Sequence, residues 1–347
     1  MNVNKKIGFI IVILFFSYII FVLHKKRQHI QTNMLNNVYE GFSTDPQENE
    51  YNSLTNFINN QNSISIANTS IEDLPLNQYC IKSSFNTTIT KIYSNIKMIS
   101  YILKRGCRFL DFEIYNIDNT PKINYSGNLQ YVNLSASNSI TVSDAFKQIA
   151  IYGFNGNCPN PNDPLFIQLR IKDKTPDIYN KIADIIKNTI GIKQYSGGMI
   201  EPANTTLASL KNKVIIVFDK SLIPNYTDTF PNFAKYVNME TGGERVSITK
   251  YNHIIEQSHT SPQIRDDGIS TDVVNMKEVI PNNIVSLFGS VSNPEYYPLP
   301  FYYGVQIALY PFYYYDTNLH MYETIFNHFK TAFVPLSKMN SYLETII

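Results

Sequence analysis

Tryptophan is absent from this sequence, cysteine occurs three times, and only 16% of the residues are charged. The cysteines, Cys80, Cys107 and Cys158, are odd in number and widely spaced, with no C-x-x-C pair. That spacing gives no disulfide framework and no cysteine-based zinc site, and it leaves Cys107 as a small buried hydrophobe. Soluble proteins carry about 25% charged residues, so this chain is charge-poor. Its net charge is +1, and without a stripe of Lys or Arg it does not read as a nucleic-acid binder. No G-x-G-x-x-G follows a strand and no G-x-x-x-x-G-K-[ST] occurs, which weighs against a nucleotide-binding sheet. What is abundant is Asn, Ile, Tyr and Lys. These are residues of AT-rich codons, a genomic bias that would suit a large DNA virus or a protist.

The N-terminus holds the longest apolar run, "IGFIIVILFFSYIIFVL", Ile7 to Leu23. At about 1.5 Å per residue it spans roughly 26 Å as a helix, the short end of a membrane span. Lys5 and Lys6 precede it, and Lys25, Lys26 and Arg27 follow. A basic cluster stands where a signal peptide would have a small-residue cleavage site, so an uncleaved single-pass anchor is expected over residues 1–28. The flanks nearly balance in charge, so orientation is not set. The sequons at Asn68, Asn133, Asn204 and Asn225 do not decide the side either, in a chain this rich in Asn. "HKKRQH" reads as the anchor's flank, with anionic lipid as a generic partner. Residues 29–70 are polar and Asn/Ser-rich, a tether with at most one short helix. The folded part is expected over 71–347.

There, strand-like and helix-like segments alternate. In "GCRFLDFEIYN", Gly106 to Asn116, the residues Phe109, Asp111, Glu113 and Tyr115 share one face, and Leu110, Phe112 and Ile114 the other. Two acids thus sit on a strand whose opposite face is wholly apolar. Val142–Phe154 has helical spacing with Ser143 as N-cap. Pro164–Ile171 and Asn212–Asp219 read as buried strands. Thr175–Gly191 is a helix, with Thr175 capping, Pro176 at its first position and Gly191 closing it. Tyr303–Phe312 reads as another strand, and "LHMYETIFNHFKTAFV" as a helix. This alternation implies parallel strands, in a βα barrel or a doubly wound sheet. The tyrosine-rich "NPEYYPLPFYYGVQIALYPFYYYD" reads as ordinary core and surface tyrosines, or as an aromatic ligand- or membrane-facing rim.

Taken in order, these segments resemble the phosphatidylinositol-specific phospholipase C (X-domain) family. "IKSSFNT", Ile81 to Thr87, is similar to its S-S-H-N-T block. "GCRFLDFEIYN" is similar to its G-C-R-x-x-E-x-D-x-W strand. "PKINYSG", Pro121 to Gly127, stands for its P-x-I-x-H-G with one residue more. "ITVSDAFKQIAIYGF" resembles its following helix, "DPLFIQLRI" its P-V-I-L-S-L-E strand, "LKNKVIIV" its L-K-G-K-I strand, and "YYGVQIALYPF" its later G-x-Q-M-V-A-L-N-F strand. The order and spacing fit from Leu76 to Val217. The resemblance implies an α/β fold, a distorted TIM-type βα barrel. It also implies a site in which two acids, an Asn and a further acid bind calcium, while two histidines do acid–base work so that the inositol 2-hydroxyl attacks phosphorus.

Against that pattern the chain is altered. Phe85 and Ser126 occupy the two histidine positions, Arg170 the last acidic one, and Val217 and Asp219 those of the phosphate-binding lysines. Asn86, Asp111 and Glu113 remain as vestigial metal ligands, the two acids in swapped order. Ser126 and Arg170 are substrate-side candidates. Arg170 is expected to pair with Asp111 or Glu113 through a guanidinium–carboxylate fork, the alternative being a retained metal site. Some bacterial relatives use an arginine in place of the metal, but they keep their histidines. None of His24, His29, His253, His259, His320 and His328 lies in the motif-bearing half. His253 reads as a surface or packed histidine, the alternative being that a later strand brings it toward the site. The expectation is a membrane-anchored, catalytically degenerate barrel acting as a binding or structural module, with no cofactor, no nucleic acid and a lipid or protein partner. The alternative is an active phosphoric diester hydrolase with a rearranged site, using calcium or His253.

Overall fold

The alternation of strands and helices resolves into a nearly closed barrel of eight parallel strands. It is seen in a computed structural model that describes residues 45–57, 64–65, 73–126, 136–156, 158–258, 273–282 and 292–346, with single positions 18, 134 and 262. The chain divides into two compact units, Met1–Pro46 and Gln47–Ile347. The expected membrane segment, Ile7–Leu23, lies outside the described residues except for Tyr18. Among the described residues, no helix is long and apolar enough to cross a membrane.

The strands are β1 (Tyr79–Ser84), β2 (Phe109–Ile117), β3 (Thr120–Ile123), β4 (Ile140–Thr141), β5 (Leu165–Ile171), β6 (Val214–Asp219), β7 (Met239–Thr241), β8 (Val246–Lys250), β9 (Met276–Ile280), β10 (Ile307–Tyr310) and β11 (Phe333–Pro335). The helices are α1 (Pro46–Phe57), α2 (Lys97–Lys104), α3 (Val142–Tyr152), α4 (Pro176–Thr189), α5 (Tyr226–Thr229), α6 (Pro231–Ala234), α7 (Tyr251–Ile255), α8 (Pro298–Tyr303), α9 (Thr317–Phe329) and α10 (Leu336–Thr345). The order around the barrel is β7-β6-β5-β2-β1-β10-β9-β8, and each neighbouring pair is parallel. β3 and β4 extend β2 as an antiparallel hairpin, and β11 lies antiparallel to β1.

Parallel strands covered on both sides tend to be apolar on both faces, and β2 obeys this on its outer face and, on its inner face, at Phe109. Leu110, Phe112 and Ile114 face outward, packing with Phe146 and Ile149 of α3 and with Ile178 and Ile182 of α4. Phe109 faces inward with Ile81, Phe166, Ile215, Val217 and Ile307. The rings of Phe109 and Phe166 stack at 5.9 Å, and Phe333 of β11 lies 6.3 Å from Phe166. This aromatic floor fills the N-terminal end of the barrel. Farther along the same inward rows come the polar residues.

Local expectations hold with adjustments. The cap of α3 is Thr141, not Ser143. Thr141 ends β4 in extended backbone and its hydroxyl accepts the Asp144 N–H, while Ser143 already lies within the first turn. Thr175 does occupy the N-cap of α4 and Pro176 its first position, but Thr175 makes no capping bond. Its hydroxyl is turned to Asp173 instead. The strand expected over Tyr303–Phe312 shortens to β10. Pro298 opens the short helix α8, and Gly304, at φ 60°, ends it. The long C-terminal helix stops at Phe329, where Lys330 turns left-handed, and the chain re-enters as β11. Several tyrosines of the rich segment are core residues, with Tyr310 stacked on Tyr322 at 3.8 Å.

Part of the stretch expected to be a tether is packed. α1 lies within it. Glu50 accepts hydrogen bonds from the backbone N–H groups of Ile92 and Tyr93 at 3.0 and 3.3 Å and from the Thr90 hydroxyl. Ile64 is buried against Gly106, where an added Cβ would come within 2.7 Å of its side chain. α1 thus holds the loop that follows β1, and that loop begins with two residues of the candidate site.

Candidate functional site

The site gathers at the C-terminal ends of β1, β2 and β5. In a barrel of this kind, side chains at the upper ends of the strands face a common mouth. Asn86 lies just past β1. Asp111 and Glu113 occupy successive inward positions of β2. Arg170 stands opposite Glu113 in the β2–β5 register, and Gln168 opposite Asp111. Neighbouring strands place residues in register close together, so the guanidinium reaches both acids.

Arg170 makes four donor contacts. Its Nε donates to Asp111 Oδ1 at 2.7 Å, and one terminal nitrogen to Asp111 Oδ2 at 2.8 Å. That same nitrogen donates to Asn86 Oδ1 at 2.7 Å. The other terminal nitrogen donates to Glu113 Oε2 at 2.8 Å. The ring of Phe85 covers the guanidinium, with its centroid 4.7 Å from the central carbon. Asp111 is 0% exposed and Arg170 6%. Burial alone pulls the arginine pKa down. Asp111 first, then Glu113, more than offset this and hold it well above its ordinary value.

The acids are satisfied on their other sides as well. Asp111 Oδ2 also accepts the Asn86 backbone N–H at 2.9 Å. Asn86 takes a left-handed conformation, φ 45°, which Asn tolerates better than most residues. The Asp111 N–H donates to the Thr87 hydroxyl at 3.0 Å, and Thr87 and Ser84 share a bond of 2.7 Å. Glu113 Oε1 accepts the Ser126 backbone N–H at 3.2 Å and the Tyr115 hydroxyl. Burial, then the Glu113 charge, raises the pKa of Tyr115 far above that of a free tyrosine. A buried ion cluster costs desolvation, and its members are kept only where the remaining hydrogen-bonding capacity is met. Here it is met at nearly every oxygen.

Asn86, Asp111, Glu113 and Arg170 are therefore brought together, and Arg170 pairs with both acids rather than one. Ser126 reaches the cluster through its backbone N–H. Val217 belongs to the apolar interior, and Asp219 ends β6, where it accepts the Ser221 N–H at 3.0 Å. Lys172, two positions beyond Arg170, has its amine pKa lowered by burial and by the nearby guanidinium. His253 does not join the site: it is exposed on α7, as are His320 on α9 and His328 near that helix's end. The remaining histidines, His24, His29 and His259, fall outside the described residues. Among the described residues, no group of three or more His, Cys, Asp or Glu is arranged to hold a metal ion.

Three contributors escaped sequence reasoning. Phe85 was expected only as a lost histidine, yet its ring lids the guanidinium. The Tyr115–Glu113 bond was signalled by their i, i+2 placement on one strand face. The Asn86 backbone bond leaves no sequence signal, since any residue supplies an N–H.

Residues 72–220 match the family model "Phosphatidylinositol-specific phospholipase C, X domain". No curated protein matches the chain. Among solved structures, L. pealei PLC21 is similar at a TM-score of 0.57 and 15% identity, covering 78% of this chain and 38% of that one. S. officinalis PLC21 is similar at 0.57 and 16%, covering 79% and 38%. At such identity the likeness is one of fold. The chain spans 38% of the length of each of these proteins.

Proposed function

We propose that this chain, whose residues 72–220 belong to the phosphatidylinositol-specific phospholipase C X-domain family, is a catalytically degenerate member that serves as a binding or structural module. The observation that carries this reading is the Arg170 guanidinium, which engages Asn86, Asp111 and Glu113 together at 2.7–2.8 Å. These are the oxygens a calcium ion would need. A hard cation takes about six to eight oxygen ligands, and a fixed positive charge among them repels it. The residues present do not fit calcium.

The proton-transfer groups are missing as well. Phe85 has no titratable atom, and Ser126 has only an aliphatic hydroxyl. Each lost general acid or base costs about 10²–10⁴ in rate, so the loss of both leaves little phosphodiesterase activity. The apolar segment Ile7–Leu23 would hold the module at a membrane as a single-pass anchor, with a lipid or protein as its partner.

Calcium titration of the full-length protein tests the reading. The expected result is no heat of binding and no change in Tm. Saturable calcium binding that raises Tm, and that is lost in Asp111→Asn, would contradict it.

A further inference from the structure

Between the aromatic floor and the Arg170 cluster lies a second polar pair. Gln168 is on β5 and Glu278 on β9, and both are 0% exposed. Gln168 Nε2 donates to Glu278 Oε1 at 2.8 Å and reaches Thr241 Oγ1 at 3.4 Å. The Gln168 amide oxygen, Oε1, and the second carboxyl oxygen of Glu278, Oε2, have no hydrogen-bond partner among the described residues. Two such atoms, on side chains joined by one hydrogen bond, are costly in a barrel interior. Each unsatisfied buried polar atom carries its desolvation penalty with no bond to offset it.

The chemistry of the pair specifies what would satisfy it. With the carboxyl protonated, the two groups together leave one donor and one acceptor open. This holds for either orientation of the Gln168 amide, whose nitrogen and oxygen are interchangeable by a flip. The complement of one donor and one acceptor is an uncharged hydroxyl. With the carboxyl ionised, the open atoms would both be acceptors and would call for a cation. The surroundings oppose that state. Burial comes first, and the carboxylates of Asp111 and Asp219 add to it. Together they drive the Glu278 carboxyl well above the usual carboxylate range, against the opposing pull of the Gln168 bond and of Arg170. The neighbours in register on β8 and β10 are Ile248 and Ile307, which bring no charge. A hard cation also needs about six oxygens, and Gln168, Glu278 and Thr241 supply fewer.

We propose that Gln168 and Glu278 form a site inside the barrel for a single water molecule, to which one of the two side chains donates and from which the other accepts. Internal waters of this kind make about three hydrogen bonds and are costly to remove. The site is separate from the Arg170 cluster and does not depend on whether that cluster is catalytic.

Glu278→Gln in the full-length protein is the test, because an amide keeps one donor and one acceptor in the same places. A folded-state pKa above the unfolded value of about 4.3 contributes stability below that pH and loses it as pH rises. Wild type should therefore lose stability relative to Glu278→Gln above about pH 4.3. The ratio of their unfolding constants should change by up to about tenfold per pH unit until the folded pKa is passed. A ratio that stays flat with pH, or a Glu278→Gln protein that does not fold, overturns the proposal. A crystal structure of the full-length chain should show one solvent peak within hydrogen-bond distance of both side chains. No peak there overturns it as well. So does stabilisation by sodium, potassium or calcium, at constant ionic strength, that the variant lacks.

Discussion

Arg170→Met should destabilise the full-length protein by about 3–5 kcal/mol, the usual cost of removing one partner from a buried ion cluster. The methionine preserves most of the side-chain volume but leaves Asp111 and Glu113 without a counter-charge at positions 0% and 5% exposed. It also strips three acceptors, Asn86 Oδ1 among them, of their donors. For a domain of this size the loss corresponds to a Tm lowered on the order of 10 °C. Urea unfolding of wild type and variant measures it. The triple variant Arg170→Met with Asp111→Asn and Glu113→Gln should recover much of the loss, because replacing a whole buried cluster by neutral groups is often close to neutral. A single variant as stable as wild type would mean that the guanidinium is not the counter-ion of the two acids.

Arg170→Glu should convert the cluster into a calcium site. It exchanges the fixed cation for a third carboxylate beside Asp111, Glu113 and the Asn86 carbonyl, an all-oxygen donor set of the kind hard cations take. Without metal the variant should be less stable than wild type, since three buried carboxylates would repel one another. With calcium at 100 times its dissociation constant, linkage returns about 2.7 kcal/mol. Tm measured across a calcium titration should rise in Arg170→Glu and stay level in wild type. If the variant unfolds without metal, recovery of the folded circular-dichroism signal on adding calcium is the readout. A variant indifferent to calcium would show that the backbone here cannot present these oxygens to an ion.

The two acids of the Arg170 cluster were legible from the strict alternation of β2, and Arg170 from the resemblance, which sets it at the family's last acidic position. Asp111 and Glu113 mark the inward face of β2, and Arg170 the inward face of the neighbouring β5, so one register step joins them. The parallel βα architecture was legible from the alternation of strands and helices through β6. The second half was less so. β7, β8 and β9 run three to five residues each, too short for a period to stand out. Glu278 sits in one of these, and its partner Gln168 is one of two polar residues in the otherwise apolar β5, so their meeting across the barrel left no pattern to read. The packing of α1 was hidden differently. Glu50 binds backbone N–H groups of residues 92 and 93, and backbone donors are the same whatever the sequence.

Whether the cluster is closed to chemistry is tested most directly by turnover of phosphatidylinositol by the full-length protein, with calcium present and with calcium chelated. On the proposed reading, in which Phe85, Ser126 and Arg170 stand at the positions of two proton-transfer groups and a metal-binding acid, no product above the protein-free background is expected in either condition. Turnover that disappears in Glu113→Ala would contradict the account and make this an active phosphodiesterase with a rearranged site.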